Sequence, residues 1–130
     1  YKNRMANASN PEYIMALRLS EQYLIRAEAY AQLNQTDKAI PDINMIRVRA
    51  GLTPIIAHLS KDDCLIEIHQ QRKLEFFGEW AHRFIDLKRT AQIDAVMEAV
   101  KPMWTPSAKS LPIPATEISY NKNLIQNESY

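Results

Sequence analysis

Two glutamates in the middle of the chain have the residue type and spacing for acid–base chemistry. Glu75 and Glu79 lie four residues apart in a stretch with helical periodicity, so both carboxylates are expected on one face of a helix. Paired carboxylates of this kind carry out glycoside hydrolysis. Arg72, however, lies three residues before the first glutamate, and Arg83 lies four residues after the second, which are ion-pair spacings. We therefore favour structural ion pairs and keep hydrolysis as the alternative.

Three histidines and one cysteine are the remaining candidates for metal binding or nucleophilic chemistry. They are His58, Cys64, His69 and His82. Zinc ligands usually occur as close pairs of cysteines or histidines, and these histidines are too widely separated for that pattern. The sequence also has no glycine-rich phosphate loop and no serine nucleophile elbow. We predict no metal, no cofactor and no catalytic group, with Cys64 as an ordinary core residue.

The segment EWAHRFIDLKRT, residues 79–90, mixes aromatic, basic and acidic side chains within one predicted helix. Arg83 and Asp86 are expected to neutralise each other beside the core. Trp104 instead stands alone in a proline-rich loop, where a large flat ring is either buried locally or presented to solvent. Trp104 is therefore the candidate contact residue for a sugar ring or a protein partner.

Charge and hydropathy exclude several classes of partner. Sixteen basic and fifteen acidic residues give a net charge of +1, with both signs interleaved, so nucleic acid is not an expected partner. The sequence has no apolar run of about 20 residues that could span a membrane. It opens without a signal-peptide core or a lipidation cysteine, so any export signal is expected to lie outside this chain.

Helical periodicity dominates the first 100 residues, and prolines end it. Apolar side chains recur at spacings of three and four in the stretches 12–33, 36–51, 60–77 and 79–100. Pro41 predicts a kink or a later start for the second helix, and Ser60 with Asp63 has the spacing of a helix cap. We predict one all-α domain over 1–130, made of a helix pair (12–51), a helical segment (60–100) and an irregular strap (101–130).

The first two helices carry the register of a tetratricopeptide-like pair. Tyr23, Ala27, Tyr30 and Ala39 place aromatic side chains around small ones. The alanines are expected to let two antiparallel helices approach closely, whereas Ala31 is expected at the edge of the contact. Such a pair normally needs neighbouring repeats to cover it, so Ile14 and Leu17 are expected to be exposed and the isolated chain to self-associate.

The tail LPIPATEISYNKNLIQNESY, residues 111–130, is too apolar for a disordered end. Pro112 and Pro114 oppose helix formation and favour extended geometry in their neighbours. Leu111 and Ile113 would then point to one side of a stiff segment. We predict a structural strap that lies extended over the helices.

Four stretches in order together resemble one family. They are RLSEQYLIRAEAYAQL, INMIRVRAGL, QQRKLEFFGEWAHRFIDLKRT and the tail, and they span residues 18–130 almost without a gap. In this order they are similar to the C-terminal region of SusD/RagB-type nutrient-binding outer-membrane lipoproteins. The resemblance implies an α-helical, tetratricopeptide-like protein that is anchored by a lipid on the surface of Gram-negative bacteria.

The resemblance also implies a function. Such proteins sit over a TonB-dependent β-barrel transporter of the SusC type and capture oligosaccharides, sometimes peptides, for import. Family members are several times longer, so the lipidated cysteine and the usual ligand site are expected outside this chain. We favour a non-enzymatic binding component. The alternatives are a glycoside hydrolase that uses Glu75 and Glu79, and a free-standing helical-repeat adaptor.

Overall fold

Every regular element within residues 17–130, which a computed structural model describes, is helical. The chain divides into two compact units, the first unit (Tyr1–Glu75) and the second unit (Phe76–Tyr130). The elements in chain order are α1 (Leu19–Gln32), α2 (Thr36–Arg49), α3 (Lys61–Glu75), α4 (His82–Arg89), α5 (Ile93–Val100), a 3₁₀ helix (Pro106–Lys109) and α6 (Ala115–Tyr120). The predicted all-α fold class is confirmed.

Small residues set the distances between the three helices of the first unit. α1 packs against α2 and α3, and α2 also packs against α3. The fully buried side chains at the centre are Ala27, Ala31, Ala39, Ile43, Cys64 and Ile68. Alanine lets helix backbones approach closely, while the two isoleucines and the cysteine fill the remaining space. Tyr30 is partly buried and packs against this cluster.

Ala31 belongs to the tight contact, which corrects the expectation that it lies at the edge. Both Ala27 and Ala31 have 0% of their surface exposed. Residues four apart lie on the same helix face, so the contact extends over at least one full turn of α1. Periodicity marks which face is buried, but it does not show how far along the helix the neighbours cross it.

α1 begins at Leu19, later than the start near residue 12 expected from the apolar stripe. Arg18 immediately before it has an extended backbone, with φ −121° and ψ 136°. The Arg18 guanidinium donates to Glu75 at the end of α3, which holds the chain outside the helix at this point. The part of the expected helix over 12–16, and with it Ile14, lies outside the described residues.

Left-handed residues close α1 and α2. Asn34 follows α1 with φ 58°, and Gly51 follows α2 with φ 76°. The amide after each of them donates to a carbonyl of the last helical turn over 2.9 Å, which is the Schellman pattern. Glycine and asparagine adopt positive φ at low cost, so the sequence marked both ends correctly.

The start of α3 confirms the predicted helix cap. The Asp63 amide donates to Ser60 Oγ at 3.1 Å, and Ser60 Oγ donates to Asp63 Oδ2 at 2.6 Å. The Cys64 amide then makes the first helical hydrogen bond, to the Ser60 carbonyl at 2.9 Å. The cap satisfies one amide that has no partner within the helix.

α2 runs from Thr36 through Pro41 to Arg49, so the later start considered for this helix is not adopted. Proline removes one backbone donor, and this costs helix stability. The side chains of Thr36, Ala39 and Asp42 on either side of the proline are buried. Tertiary packing of this face therefore overrides the local preference.

The connector between α2 and α3 is fixed to α2 by side-chain hydrogen bonds. Asn44 donates to the Ile55 carbonyl at 2.9 Å and accepts from the Ile55 amide at 2.8 Å. Arg47 donates from two nitrogens to the Thr53 carbonyl, at 3.0 and 2.9 Å. Ile55 and Leu59 also pack against the core of the first unit. A segment without periodicity thus contributes to the core.

The second unit contains two helices where the sequence predicted one helix over 79–100. Before α4, Gly78, Trp80 and Ala81 all have positive φ, at 74°, 41° and 59°. The chain therefore turns here instead of continuing from α3. Trp80 in this turn is 61% exposed.

A second break separates α4 from α5. Ala91 has φ 56°, and the Gln92 amide after it donates to the Leu87 carbonyl at 2.9 Å. This is a Schellman end with alanine in the position that usually holds glycine. The sequence has no glycine or proline at this break, so the apolar periodicity predicted one continuous helix across it. Leu87 and Ile93 are buried on either side of the break.

The segment 101–130, predicted to be irregular, contains the 3₁₀ helix and α6. Pro114, with φ −54° and ψ 137°, caps the start of α6. The prolines therefore precede a short helix instead of excluding one. Leu111 and Tyr130 are 78% and 54% exposed, so these two side chains do not supply the expected apolar contact. The role of the tail as a strap over the helices stays a prediction.

Candidate functional site

The carboxylate of Glu75 is held by two arginines of the first unit. Arg18 donates to Glu75 Oε1, and to the Glu75 carbonyl at 3.0 Å, while Arg49 donates to Oε2. The Glu75 side chain is only 10% exposed. Partial burial by itself would raise its pKa, but the hydrogen bond and charge of Arg49, with the charge of Arg18, outweigh burial and lower the pKa of Glu75 below its usual range. Glu75 is therefore ionised at neutral pH.

Further ion pairs connect α1 with its neighbours. Arg26 on α1 donates from two nitrogens to the two carboxylate oxygens of Asp42 on α2, at 2.8 and 2.7 Å. Arg72 on α3 is buried, and its Nη2 lies 3.8 Å from Oε1 of Glu21 on α1. The bidentate geometry of the first pair fixes the orientation of both side chains. These charges position helices, which agrees with a structural role for Arg72.

A second ion pair joins α2 to α3. Arg47, which also holds the connector, donates to Oε1 of Glu67. Gln71 is buried, and its Nε2 donates to the same oxygen at 2.8 Å. The carboxylate thus receives hydrogen bonds from both helices. Polar groups at the edge of this core are matched with one another, as buried polar groups usually are.

The two carboxylates that the hydrolase alternative requires do not lie on one helix. α3 ends at Glu75, and Glu79 lies in the turn after it, so the two side chains do not share one helix face. A general acid also needs a raised pKa, whereas that of Glu75 is lowered. Glu75 therefore has the surroundings of a structural carboxylate.

The histidines occupy separate environments. His58 Nδ1 lies 2.9 Å from Asp37 Oδ1 at the surface, and His69 Nε2 lies 3.8 Å from Glu28 Oε1 between α3 and α1. His82 in the second unit stacks on Phe76 with ring centroids 4.8 Å apart. Over residues 17–130, no group of three or more histidine, cysteine or acidic side chains is arranged to hold a metal ion.

Cys64 is a buried free thiol in the core of the first unit. Burial raises its pKa, and the nearby charge of Glu67 adds to the effect. A raised pKa keeps the sulfur protonated and a poor nucleophile. This environment fits the predicted role of Cys64 as a core residue.

Asp86 on α4 is paired with Arg89 and not with the predicted Arg83. Arg89 Nε donates to Asp86 Oδ1 at 2.8 Å, whereas Arg83 is exposed. Both arginines lie three positions from Asp86, so spacing could not choose between them. The Asp86 side chain is 10% exposed, and Thr90 Oγ1 donates to its carbonyl at 2.8 Å. The expected pairing beside the core exists with a different partner.

Trp104 is half-buried and fixed to α5. Its indole Nε1 donates to Asp94 Oδ1 at 3.1 Å, and Lys109 Nζ donates to Oδ2 of the same carboxylate at 2.7 Å. These two hydrogen bonds, with burial opposing them, lower the pKa of Asp94. The sequence predicted an aromatic residue in a loop, but it could not predict that Asp94 would hold the ring.

α1 also carries an exposed apolar surface. Leu17, Leu19 and Ile25 are 77%, 70% and 48% exposed. A shallow cavity of about 380 Å³ lies on this side, lined by Leu19, Gln22, Tyr23, Ile25 and Arg26. The exposure of Leu17 agrees with the sequence-based expectation. Within residues 17–130, none of the helices has the length and hydropathy needed to cross a membrane.

Comparison with known proteins gives a consistent result. The whole chain, residues 1–130, matches the SusD family. SusD-like protein P25 of Formosa agariphila is 31% identical over an alignment of 125 residues, which covers 88% of this chain and 24% of the relative. The chain thus spans about a quarter of the length of that curated relative. No solved structure matches the chain.

Proposed function

Since the chain belongs to the SusD family, we propose that it is part of a non-enzymatic binding component that captures glycans, or other nutrients, at the outer-membrane surface. The observation that carries this proposal is the family match over all 130 residues. SusD-like protein P25, whose alignment covers 88% of this chain, adds to this support.

The proposal includes a place of action and a partner. The complete protein would be a surface lipoprotein that acts with a TonB-dependent β-barrel transporter of the SusC type. Family membership is the support for this partnership, since the family generally works with such transporters. A captured oligosaccharide would pass from the binding protein into the barrel for import.

The environment of Glu75 favours a structural carboxylate over the general acid of a hydrolase. Its carboxylate receives hydrogen bonds from Arg18 and Arg49, and its pKa is lowered. A retaining or inverting glycosidase requires one carboxylic acid that stays protonated near neutral pH. Glu75 is the opposite case, and it is better suited to holding α1, α2 and α3 together.

Trp104 is the residue that we propose as a contact to a sugar or to a partner. Its ring is half-buried, and its indole nitrogen is fixed by Asp94 at 3.1 Å. An aromatic ring that is already held in place loses little conformational entropy when a ligand stacks on it. The fixed ring of Trp104 is therefore a preorganised surface for such a contact.

The experiment uses the full-length protein in bacterial cells that carry its gene. A tagged copy is purified from detergent-solubilised outer membranes, and proteins that copurify are identified. We expect a TonB-dependent transporter at near-equal amount, and surface labelling of the tagged protein on intact cells. Recovery from the soluble fraction without a transporter would contradict the proposal and favour a free-standing adaptor.

A further inference from the structure

The second unit has a polar cleft to which neither the family match nor the candidate site residues give a role. It has a volume of about 780 Å³, within the roughly 300–1,000 Å³ range of small-molecule sites. We call it the C-terminal cleft, and it is lined by Thr105, Pro106, Ser107, Ser110, Asn127, Glu128 and Ser129. One wall is the 3₁₀ helix with its flanking residues, and the other is the last turn of the chain.

Hydrogen bonds join the last turn of the chain to the residues that follow the 3₁₀ wall. Gln126 accepts from the Ile113 amide at 2.8 Å and donates to the Ile113 carbonyl at 2.9 Å, as a neighbouring strand would. The side-chain Nδ2 of Asn127 donates to the Leu111 carbonyl. These three hydrogen bonds tie the last turn to the segment 111–113 after the 3₁₀ helix. The two walls are therefore preorganised relative to each other.

The 3₁₀ wall is fixed separately to α5. Lys109 at its end donates to Asp94 at 2.7 Å, and Trp104 just before the cleft donates to the same carboxylate. Within the wall, the Thr105 and Ser107 hydroxyls lie 3.0 Å apart and share a hydrogen bond. A ligand in the cleft would meet hydroxyl groups whose positions are already set.

The chemistry of the lining selects the ligand class. Three serines, one threonine and one asparagine offer donors and acceptors, and Glu128 is the single charged side chain among the lining residues. Hydroxyl, amide and carboxylate groups pair well with sugar hydroxyls, which both donate and accept. No lysine or arginine lines the cleft, so a phosphate, sulfate or uronate group would meet no counter-charge there.

We propose that the C-terminal cleft is a binding subsite for neutral saccharides and that Glu128 excludes acidic ones. This inference rests on the proposed function, because it names the class of glycan that such a protein would take at this place. Trp104 adjoins the lining residue Thr105 in the chain, so an aromatic ring stands beside the polar wall. The cleft is therefore a second candidate contact region, beside Trp104, in a chain whose usual family ligand site was expected to lie outside it.

The test measures saccharide binding by the full-length protein, by affinity electrophoresis and isothermal titration. The probes are maltohexaose, cellohexaose and mannohexaose as neutral sugars, hexagalacturonate as the acidic sugar, and trilysine as a cationic peptide. We expect at least one neutral sugar to bind, and hexagalacturonate to bind at least about tenfold more weakly. Preference for the acidic sugar, or for trilysine alone, would overturn the proposal.

Two variants locate the binding. Ser110 is exposed with an extended backbone, φ −107° and ψ 131°, so Ser110→Tyr fills the cleft without strain. We expect it to weaken neutral-sugar binding at least about tenfold, while the exposed control Ser119→Tyr on α6 leaves it unchanged. Unchanged binding by Ser110→Tyr would overturn the subsite but leave glycan capture elsewhere in the protein intact.

Glu128→Gln tests the charge filter without changing the shape of the cleft. We expect hexagalacturonate to bind several-fold more tightly, with neutral sugars bound nearly as before. Glu117→Gln, an exposed glutamate of α6 outside the lining, is the matched control and should change neither. Equal effects of the two glutamate variants would show that net charge, and not this cleft, decides selectivity.

Discussion

At the scale of single residues, Glu75 joins three parts of the first unit. It ends α3, and it accepts hydrogen bonds from Arg18 before α1 and from Arg49 at the end of α2. Its side chain is 10% exposed, so solvent screens these charges less than at an open surface. The residue thus stabilises the ends of α2 and α3 and the start of α1 together.

Replacing Glu75 by glutamine should destabilise the chain. The substitution removes the negative charge and weakens two charge-assisted hydrogen bonds, so we expect a loss of about 1–3 kcal/mol in the free energy of unfolding at pH 7. Urea unfolding followed by circular dichroism measures it. Glu98→Gln, at an exposed position of α5, is the control and should change the free energy by no more than about 0.5 kcal/mol.

The difference in free energy of unfolding between wild type and Glu75→Gln should depend on pH in a defined direction. The pKa of Glu75 is lower in the folded chain than its ordinary value of 4.5. Its contribution is therefore fully present above that ordinary value and is lost as the pH falls through the lower folded pKa. We expect the stability difference between wild type and Glu75→Gln to be constant near neutral pH and to shrink in acid. A difference that grows in acid would contradict this assignment.

The structural role of a charged residue was easier to predict from the sequence than the partner with which it pairs. Glu75 and Arg72 were predicted to be structural, and Asp86 was predicted to pair beside the core. The actual partner of Asp86 is Arg89, because side-chain direction on α4 chose between two arginines at equal spacing. Arg18 lies 57 residues from Glu75, and a contact at that separation depends on the packing of α1 against α3, which local spacing does not encode.

At the scale of elements, the cap of α3 offers a direct test. Ser60→Ala removes both hydrogen bonds that join Ser60 Oγ to Asp63. We expect a loss of about 1 kcal/mol in the free energy of unfolding, and most of it should be restored by Ser60→Thr. Denaturant melts of the three proteins provide the measurement. If alanine and threonine were equivalent, the cap would contribute nothing.

The crossing of α1 with its neighbours leads to a second expectation. Ala27→Leu and Ala31→Leu each insert bulk at a position with 0% exposure, so both should lower the free energy of unfolding by about 1–3 kcal/mol. Ala29→Leu on the exposed side of α1 is the control and should be close to neutral. Thermal unfolding of the three variants tests this. A neutral Ala31→Leu would restore the original expectation that the contact ends at Ala27.

Helix ends that carry a capping residue or a glycine could be predicted from the sequence, whereas helix ends without such residues could not. Gly51 and the Ser60 and Asp63 pair marked element ends that the structure confirms. The break at Ala91 was not predictable in this way, because an alanine occupies the left-handed position that usually holds glycine. Leu87 and Ile93 on either side of the break are buried. The capping of α6 by Pro114 was also missed, since proline was taken to exclude a helix when it can begin one.

At the scale of the whole molecule, α1 and the residues just before it carry an exposed aliphatic surface. Leu17 and Leu19 are 77% and 70% exposed, and Ile25 is 48% exposed. The chain also spans about a quarter of its curated relative. A helical-repeat surface of this kind is normally covered by a neighbouring element. We therefore expect the isolated chain of 130 residues to self-associate through this side of α1.

Sedimentation velocity across a wide concentration range tests that expectation. Dimers or larger species should appear as concentration rises, because burying a shared apolar patch is favourable. Leu19→Glu should shift the chain towards monomer, whereas Leu74→Glu, at an exposed leucine of α3, should not. A chain that stays monomeric at every concentration, and that also fails to bind a hydrophobic dye, would contradict self-association through this surface.

The most direct measurement of the central claim is glycan binding by the full-length protein with the fate of the glycan followed in the same sample. Isothermal titration against a panel of oligosaccharides is combined with chromatography of the recovered sugars. We expect saturable binding of at least one oligosaccharide, which is recovered at its original length after prolonged incubation. Shortened sugars whose production is lost in Glu79→Gln would instead establish a hydrolase, and the absence of binding to every oligosaccharide would contradict glycan capture.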